Sequence, residues 1–109
     1  MFLIVSKYLL PKGFTGLTIF PFIILKNEKD RSNAILLNHE KIHIRQQLEL
    51  LIVLFFVLYA FEFLIRLLIY KNKTMAYKNI SFEREAYTKE KDLHYLKQRS
   101  FFRFIKFLS

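Results

Sequence analysis

The hydrophobic pattern divides this chain into an N-terminal part with the character of strands and a longer part with the character of helices. The runs "FLIV" (2–5) and "LTIFPFIIL" (17–25) are rich in β-branched and aromatic residues, and the segment between them contains Pro11 and two glycines. This combination predicts two strands joined as a β-hairpin. Because proline cannot donate to the ladder of a sheet, Pro21 within the second run places that strand at a sheet edge.

Neither glycine nor proline occurs from residue 34 to the end of the chain, and this predicts a succession of helices. The first covers 34–49, with Asp30 or Ser32 of the preceding charged turn as its N-cap. Together with the strands, the pattern predicts one α+β domain over residues 1–109 that is mostly helical.

Two further helices are predicted towards the C-terminus. A polar connector, "KNKTMAYKN" (71–79), precedes a helix over about 82–98 that starts at Asn79 or Ser81. The tail "FFRFIKFL" combines Phe with basic residues and is expected to form a short amphipathic helix. Such a helix either lies at a membrane interface or closes the core.

The most hydrophobic stretch lies in the middle of the chain. Residues 50–61 are apolar on every side, and Glu62 and Arg66 follow at the spacing of an i,i+4 ion pair. As a helix, 50–70 would be roughly 32 Å long, enough to cross a bilayer core, but both charged residues would then lie in lipid. A helix that is apolar all round needs cover, so we expect lipid contact or homo-oligomer formation through 50–61.

Composition and charge favour a membrane as the partner. Hydrophobic residues make up 53% of the chain, and its net charge is +9. A basic surface attracts nucleic acid or anionic lipid; because no nucleic-acid motif occurs, we expect membrane lipid and no nucleic acid. The lack of cysteine excludes disulfides and thiolate metal sites, and the N-terminus lacks the basic start of a secretory signal. These features predict a monotopic or peripheral membrane protein, on the cytoplasmic side.

The motif "HEKIH" (39–43) carries the candidate chemistry. On a helix, His39 and His43 share one face and can direct both imidazoles at one point. Glu40 lies beside that face, close enough to take a proton from a water held by a metal. H-E-x-x-H therefore predicts two nitrogen ligands for zinc and a general base.

A later segment, "SFEREAY" (81–87), supplies a third ligand. Its "EREA" matches E-x-x-A, and with the HExxH motif the sequence resembles the gluzincin group of zinc metallopeptidases, in a minimal single-domain form. The resemblance implies that Glu83 is the third zinc ligand and that Ala86 lets the two helices approach closely. Glu85 is the alternative ligand.

The resemblance has two further implications. Many relatives have Asp at the position of Tyr87, where it orients a zinc histidine. Tyr87 takes that role through its hydroxyl or acts on the transition state, or another group orients the histidine, or the site is weakened. In gluzincins an edge strand pairs with the extended substrate, and 17–25 occupies the matching place, with Thr18, Phe20 and Phe22 as its candidate residues.

A shared ion also constrains the path of the chain. A straight helix from 34 to 70 would carry Tyr70 about 40 Å from the histidines, a distance that the residues back to Glu83 could barely span. We therefore expect the middle segment to break or fold back near 56–62, which makes it one helix or a helical hairpin.

These observations predict zinc-dependent hydrolysis of peptide bonds in a peptide or protein substrate. His39, His43 and Glu83 would bind zinc, and Glu40 would activate the water. The alternatives are a non-enzymatic basic membrane-binding helical protein with incidental histidines, and a protein with a structural zinc site. His94 lies about three turns beyond Glu83 and is expected outside the site.

Overall fold

The computed structural model describes residues 2–10 and 13–108 and shows the expected α+β fold, mostly helical. Three short strands form one sheet: Phe2–Val5 (β1), Gly16–Ile19 (β2) and Phe22–Leu25 (β3). Their order is β1-β3-β2, with β3 antiparallel to β2 and parallel to β1. Residues 23–25 of the central strand are buried, so this strand anchors the sheet in the core.

The predicted hairpin between 2–5 and 17–25 is wrong in its connection. The second run forms two strands, β2 and β3, and these two make the hairpin. The turn between them contains Phe20 and Pro21, whose peptide bond is cis. Proline has no N–H for a ladder, so it separates two strands here instead of lying within one. Pro11, which the sequence places in the first connection, lies outside the described residues.

A 3-10 helix over Glu28–Ser32 leads into helix α1, Ala34–Glu49, close to the predicted bounds. Asn33 is the N-cap of α1, and its side chain accepts from the Leu36 N–H. The predicted caps Asp30 and Ser32 are wrong because both belong to the 3-10 helix, where the Asp30 side chain accepts from the Asn27 N–H. The motif helix therefore starts from its own cap.

The helical path is interrupted by a short linker between α1 and helix α2, which covers Val53–Tyr70. Leu51 and Ile52 have φ of 56° and 63°, values that cost about 1–3 kcal/mol each for such residues. The predicted break near 56–62 is therefore wrong in position, since α2 runs through those residues unbroken. The neighbouring Leu50 and Phe55 are both buried in one core cluster, and this packing holds the strained linker in place.

The chain then returns through α3, Lys73–Lys78, which packs against α2, to α4, Ser81–Lys89. Helix α4 begins at Ser81, one of the two predicted starting residues, and its N-cap position is Ile80. Glu62 of α2 supplies the capping side chain, accepting from the Ser81 N–H at 2.9 Å and from its hydroxyl at 2.5 Å. Because Glu62 is used there, the predicted ion pair with Arg66 does not form; Arg66 donates to the Leu108 carbonyl.

The predicted helix over 82–98 is two helices, because α4 ends at Lys89 and α5 covers Tyr95–Gln98. Asn38 of α1 explains the end of α4: its side-chain amide donates to the carbonyls of Lys89, Glu90 and Asp92 at 2.9–3.3 Å. The tail forms a 3-10 helix, Arg103–Phe107, with Phe104 buried in the core.

Within the described part of the chain, α2 is the helix long and apolar enough to cross a membrane, judged by length and composition, and only 6% of it is buried. Its two charged side chains, Glu62 and Arg66, turn towards the protein. Its remaining surface is uncharged, and we call it the apolar face of α2. It consists of Val53, Leu54, Phe56, Val57, Ala60, Phe61, Leu64, Ile65, Leu68 and Ile69.

Candidate metal centre

Helix α1 presents the two motif histidines on one buried face. His39 and His43 are each 5% exposed, and their ring centroids are 4.9 Å apart in an edge-on arrangement. The spacing of four residues brings the rings one above the other, as the helix period requires. Both Nε2 atoms point away from α1, towards α4.

Helix α4 brings one carboxylate to this pair. Glu83 Oε1 lies 3.3 Å from His39 Nε2 and 3.0 Å from His43 Nε2. One ligand atom from each residue falls within 4.8 Å of the other two, so the three groups can hold one ion. Ala86 is fully buried beside Ile42 of α1, and its small side chain allows this close approach. Glu85 points elsewhere, to Arg99 and Tyr95.

The opposite nitrogen of each ring is held by an acceptor. Gln46 Oε1 lies 2.8 Å from His43 Nδ1, and the Gln46 amide nitrogen donates to the Phe82 carbonyl and to Glu85. Because both of those partners only accept, the amide orientation is fixed, and His43 Nδ1 must carry the proton. Glu90 Oε1, 2.9 Å from His39 Nδ1, fixes the second ring in the same way.

These orientations leave three lone pairs directed at one point. Neutral His39 and His43 offer bare Nε2 atoms, and Glu83 adds an anionic oxygen. Such a group is stable only with a cation among its atoms. In the metal-free protein a proton on His43 supplies the positive charge. Burial acts to lower the pKa of His43, but the adjacent Glu83 carboxylate outweighs burial and raises that pKa to about 9. Burial raises the pKa of Glu83, yet His43 and His39 hold it well below its usual range.

The geometry and donor types suit zinc. Two imidazoles and one carboxylate form a donor set typical of catalytic zinc, whereas Mg²⁺ and Ca²⁺ prefer oxygen ligands. In a tetrahedral zinc site with ligand distances of about 2.0–2.1 Å, neighbouring ligand atoms lie about 3.3–3.4 Å apart. The separations of 3.0 and 3.3 Å around Glu83 Oε1 are close to that value. Residues that fix both Nδ1 atoms complete the support that metal histidines usually have.

Glu40 lies between the motif helix and strand β2. It is 5% exposed, and its Oε1 accepts a hydrogen bond of 2.5 Å from the Thr18 hydroxyl. Gly16 approaches the same carboxylate so closely that a Cβ atom there would lie 3.0 Å from Glu40 Oε2. The strand therefore fixes one carboxylate oxygen and leaves room for the other only because residue 16 has no side chain.

The outer edge of β2 is partly occupied by Gln47 of α1. Its amide donates to the Thr18 carbonyl at 2.8 Å and accepts from the Phe20 N–H at 2.7 Å. Main-chain groups alternate in direction along a strand, so Gly16 faces outward with Thr18. Two of the predicted edge residues are therefore wrong: Phe20 lies in the turn with its N–H taken, and Phe22 belongs to the central strand.

Three tyrosines surround the centre. The Tyr87 ring packs edge-on against His39 with centroids 4.6 Å apart. Of the alternatives left open for orienting a histidine, His39 has another group, Glu90, at its Nδ1. The Tyr59 hydroxyl donates to Glu83 Oε2 at 2.7 Å. Tyr77 lies beside Tyr87, with ring centroids 6.4 Å apart. Burial raises the pKa of both Tyr77 and Tyr87, so their hydroxyls remain protonated donors.

The three tyrosines line one open cleft of about 1130 Å³ together with the two histidines and the two carboxylates, Glu40 and Glu83. Its walls come from β2, α1, α2, α3 and α4. A volume of this size accommodates several residues of an extended peptide. His94, by contrast, is exposed at the N-cap of α5 and does not line the cleft, as expected.

Comparison with known proteins gives no match to a family model, to a curated protein or to a solved structure. The properties of this centre are therefore argued from its own residues.

Three residues that support the candidate metal centre were not predicted from the sequence. Gln46 follows His43 by three positions and Glu90 follows Glu83 by seven, so helix periodicity could have suggested both. No sequence pattern connects Tyr59 with Glu83, because the two residues meet only when α2 and α4 pack together in the fold.

Proposed function

We propose that this chain is a zinc-dependent metallopeptidase of the gluzincin kind that works at a membrane surface. One observation carries the proposal: two imidazoles whose Nδ1 atoms are held by acceptors converge with one carboxylate, and within the described residues no Lys or Arg side chain pairs with that carboxylate. Histidines placed incidentally on a helix would not need Gln46 and Glu90 to direct their lone pairs at Glu83.

The chemistry divides between the ion and the chain. Zinc in such a site acts as a Lewis acid, lowering the pKa of water and polarising a carbonyl. Glu40 accepts the proton that the attacking water loses, and Thr18 holds its carboxylate in position. The cleft hydroxyls of Tyr77 and Tyr87 are donors for the oxygen on which negative charge develops.

The substrate chain lies along the free part of the β2 edge. The outward main-chain groups of Gly16 and the Thr18 N–H remain for strand pairing, since Gln47 occupies the Thr18 carbonyl. Pairing there extends a peptide past Glu40, because Gly16 lies directly against that carboxylate.

The membrane part of the proposal rests on the apolar face of α2. Ten apolar positions of one helix are exposed together, an area that soluble monomers rarely leave uncovered. A net charge of +9 favours anionic lipid as the cover. Since Glu62 and Arg66 face the protein, lipid contact leaves no charge of α2 in hydrocarbon.

The same face favours a second candidate, a non-enzymatic basic membrane-binding protein. That candidate needs only α2 and the basic surface, and it gives no role to the Thr18–Glu40 contact or to Gly16 beside it. Peptide hydrolysis therefore separates the two candidates.

Substitution Glu40→Gln tests the proposal. We expect the variant to bind zinc as the wild type does and to hydrolyse a mixture of fluorogenic peptides about 10²–10⁴-fold more slowly, the range for loss of a general base. Glu28→Gln is the control, because Glu28 is exposed and pairs only with Arg31. Zinc-loaded wild type that hydrolyses no peptide, or a Glu40→Gln variant of unchanged activity, would contradict the proposal.

A further inference from the structure

We propose that the cleft takes apolar peptide segments presented from the lipid side, so that the substrate is a membrane-associated polypeptide. This inference rests on the proposed peptidase function and specifies its substrate class. It follows from the fact that the same helix forms a wall of the cleft and the exposed apolar surface.

The cleft and the apolar face of α2 are continuous. The wall that α2 contributes consists of Phe55, Phe56, Tyr59, Ala60 and Phe63. Phe56, which is 38% exposed, and the exposed Ala60 also belong to the apolar face. No charged side chain of α2 separates the two surfaces, because Glu62 and Arg66 face the protein. A segment that rests on the apolar face can therefore enter the cleft without leaving an apolar environment.

The shared wall is adjacent to the metal centre. The Tyr59 hydroxyl touches Glu83, Ala60 is the next residue of α2, and Phe63 lies one turn beyond Tyr59. Ala60 and Glu83 line the same cleft, so a peptide that lies along the cleft can contact the shared wall beside the candidate metal centre. Side chains at the cleavage site would meet the apolar wall, so polar side chains would lose hydration there without a partner.

Two basic side chains of the cleft favour anionic lipid as the cover of this face. Lys73 and Lys78 of α3 line the cleft, and α3 packs against α2. Ammonium groups beside an apolar surface match the anionic headgroups above a hydrocarbon layer. A second copy of the chain would bring another charge of +9 against the same surface, which disfavours self-association.

Two matched fluorogenic peptides test the inference. One carries Leu and Phe around the cleaved bond, and the other carries Ser and Gln at the same positions. Hydrolysis by the zinc-loaded full chain is measured with and without vesicles of phosphatidylcholine and phosphatidylglycerol. We expect the anionic vesicles to raise kcat/KM for the apolar peptide at least about tenfold over that for the polar one.

Substitution at the shared wall localises the effect. Ala60→Gln should lower kcat/KM for the apolar peptide about tenfold more than for the polar peptide and leave zinc stoichiometry unchanged. The same replacement at the exposed Leu93, which lies outside the cleft and α2, is the control.

Equal hydrolysis of both peptides without any vesicle effect would overturn the inference and leave the peptidase proposal intact. Hydrolysis of neither peptide by zinc-loaded protein would overturn the peptidase function itself, and a soluble dimer that ignores vesicles would show that a second copy covers α2.

Discussion

Helix α4 carries two buried glutamates, two positions apart, that have opposite surroundings. Glu85 is fully buried and accepts four hydrogen bonds: from Gln46, from Tyr95 and twice from Arg99. Glu83 is 4% exposed and accepts one hydrogen bond, from Tyr59; its other oxygen faces two imidazole nitrogens.

The difference separates a structural carboxylate from a candidate metal ligand. Arg99 lies between Glu49 and Glu85, so that region supplies its own positive charge and every acceptor has a donor. Glu83 has no Arg or Lys partner among the described residues. In the metal-free protein its positive partner is the proton on His43, whose pKa the Glu83 carboxylate raises to about 9, and a metal ion held by the three groups would replace that proton.

The two regions are also connected. The Gln46 amide bridges them, since it donates to Glu85 and accepts from His43. The closed network therefore fixes the orientation of one candidate metal ligand, His43, while its members Gln46, Glu85 and Arg99 remain outside the cleft.

The largest effect is expected from Glu83→Ala. Loss of one of three ligands should weaken zinc binding about a thousandfold, or roughly 4 kcal/mol, as measured by competition with a fluorescent chelator. Glu85→Ala is the matched comparison on the same helix, and its folded fraction should lose at most about tenfold in zinc affinity, because the Phe82 carbonyl still holds the Gln46 amide. Similar affinity losses in both variants would remove the distinction between the two carboxylates.

Next is Arg99→Met, which removes the cation from the closed network. Two buried carboxylates would lose their counter-charge, and the free energy of unfolding should fall by about 3 kcal/mol in urea denaturation. Zinc should still add stability to this variant, because the metal ligands are untouched. Arg31→Met, at an exposed pair with Glu28, should cost well under about 1 kcal/mol. Equal costs for the two variants would count against the paired network.

Glu90 should have a smaller effect on the metal centre. Glu90→Ala frees His39 Nδ1 and should weaken zinc binding about 10–100-fold, the usual range for a residue that orients a metal histidine. Glu90→Gln keeps an acceptor oxygen and should recover part of that loss. If the Gln and Ala variants behave alike, or both match the wild type, Glu90 does not orient the ring.

The smallest effect is expected from Gly16→Ala. The new Cβ would lie 3.0 Å from Glu40 Oε2 and would push the carboxylate from its position. We expect kcat to fall about five- to tenfold with unchanged zinc affinity, because Glu40 is not a metal ligand. A fall in zinc affinity instead would show that Gly16 supports the metal site and not the base.

Much of this arrangement could be predicted where local patterns decide it. The HExxH spacing placed both histidines on one face of α1, and the search for a third ligand led to the "SFEREAY" segment. The bounds of α1 were predicted nearly correctly because no Gly or Pro interrupts residues 34–49, although its N-cap, Asn33, was not among the predicted caps.

Long-range contacts explain what the sequence did not reveal. The linker at Leu51 and Ile52 adopts a conformation that neither residue favours, so no local signal marks it. Helix α4 ends where Asn38, about fifty residues away in the chain, binds its last carbonyls. Glu62 caps α4 from α2, although its spacing to Arg66 had suggested a pair within one helix.

The most direct test is an anomalous difference map at the zinc absorption edge, from crystals of the zinc-loaded wild-type chain. We predict one strong peak about 2.0–2.1 Å from the Nε2 atoms of His39 and His43 and from a Glu83 oxygen. A peak at any other set of residues, or none at this point in fully zinc-loaded protein, would contradict the proposed metal centre.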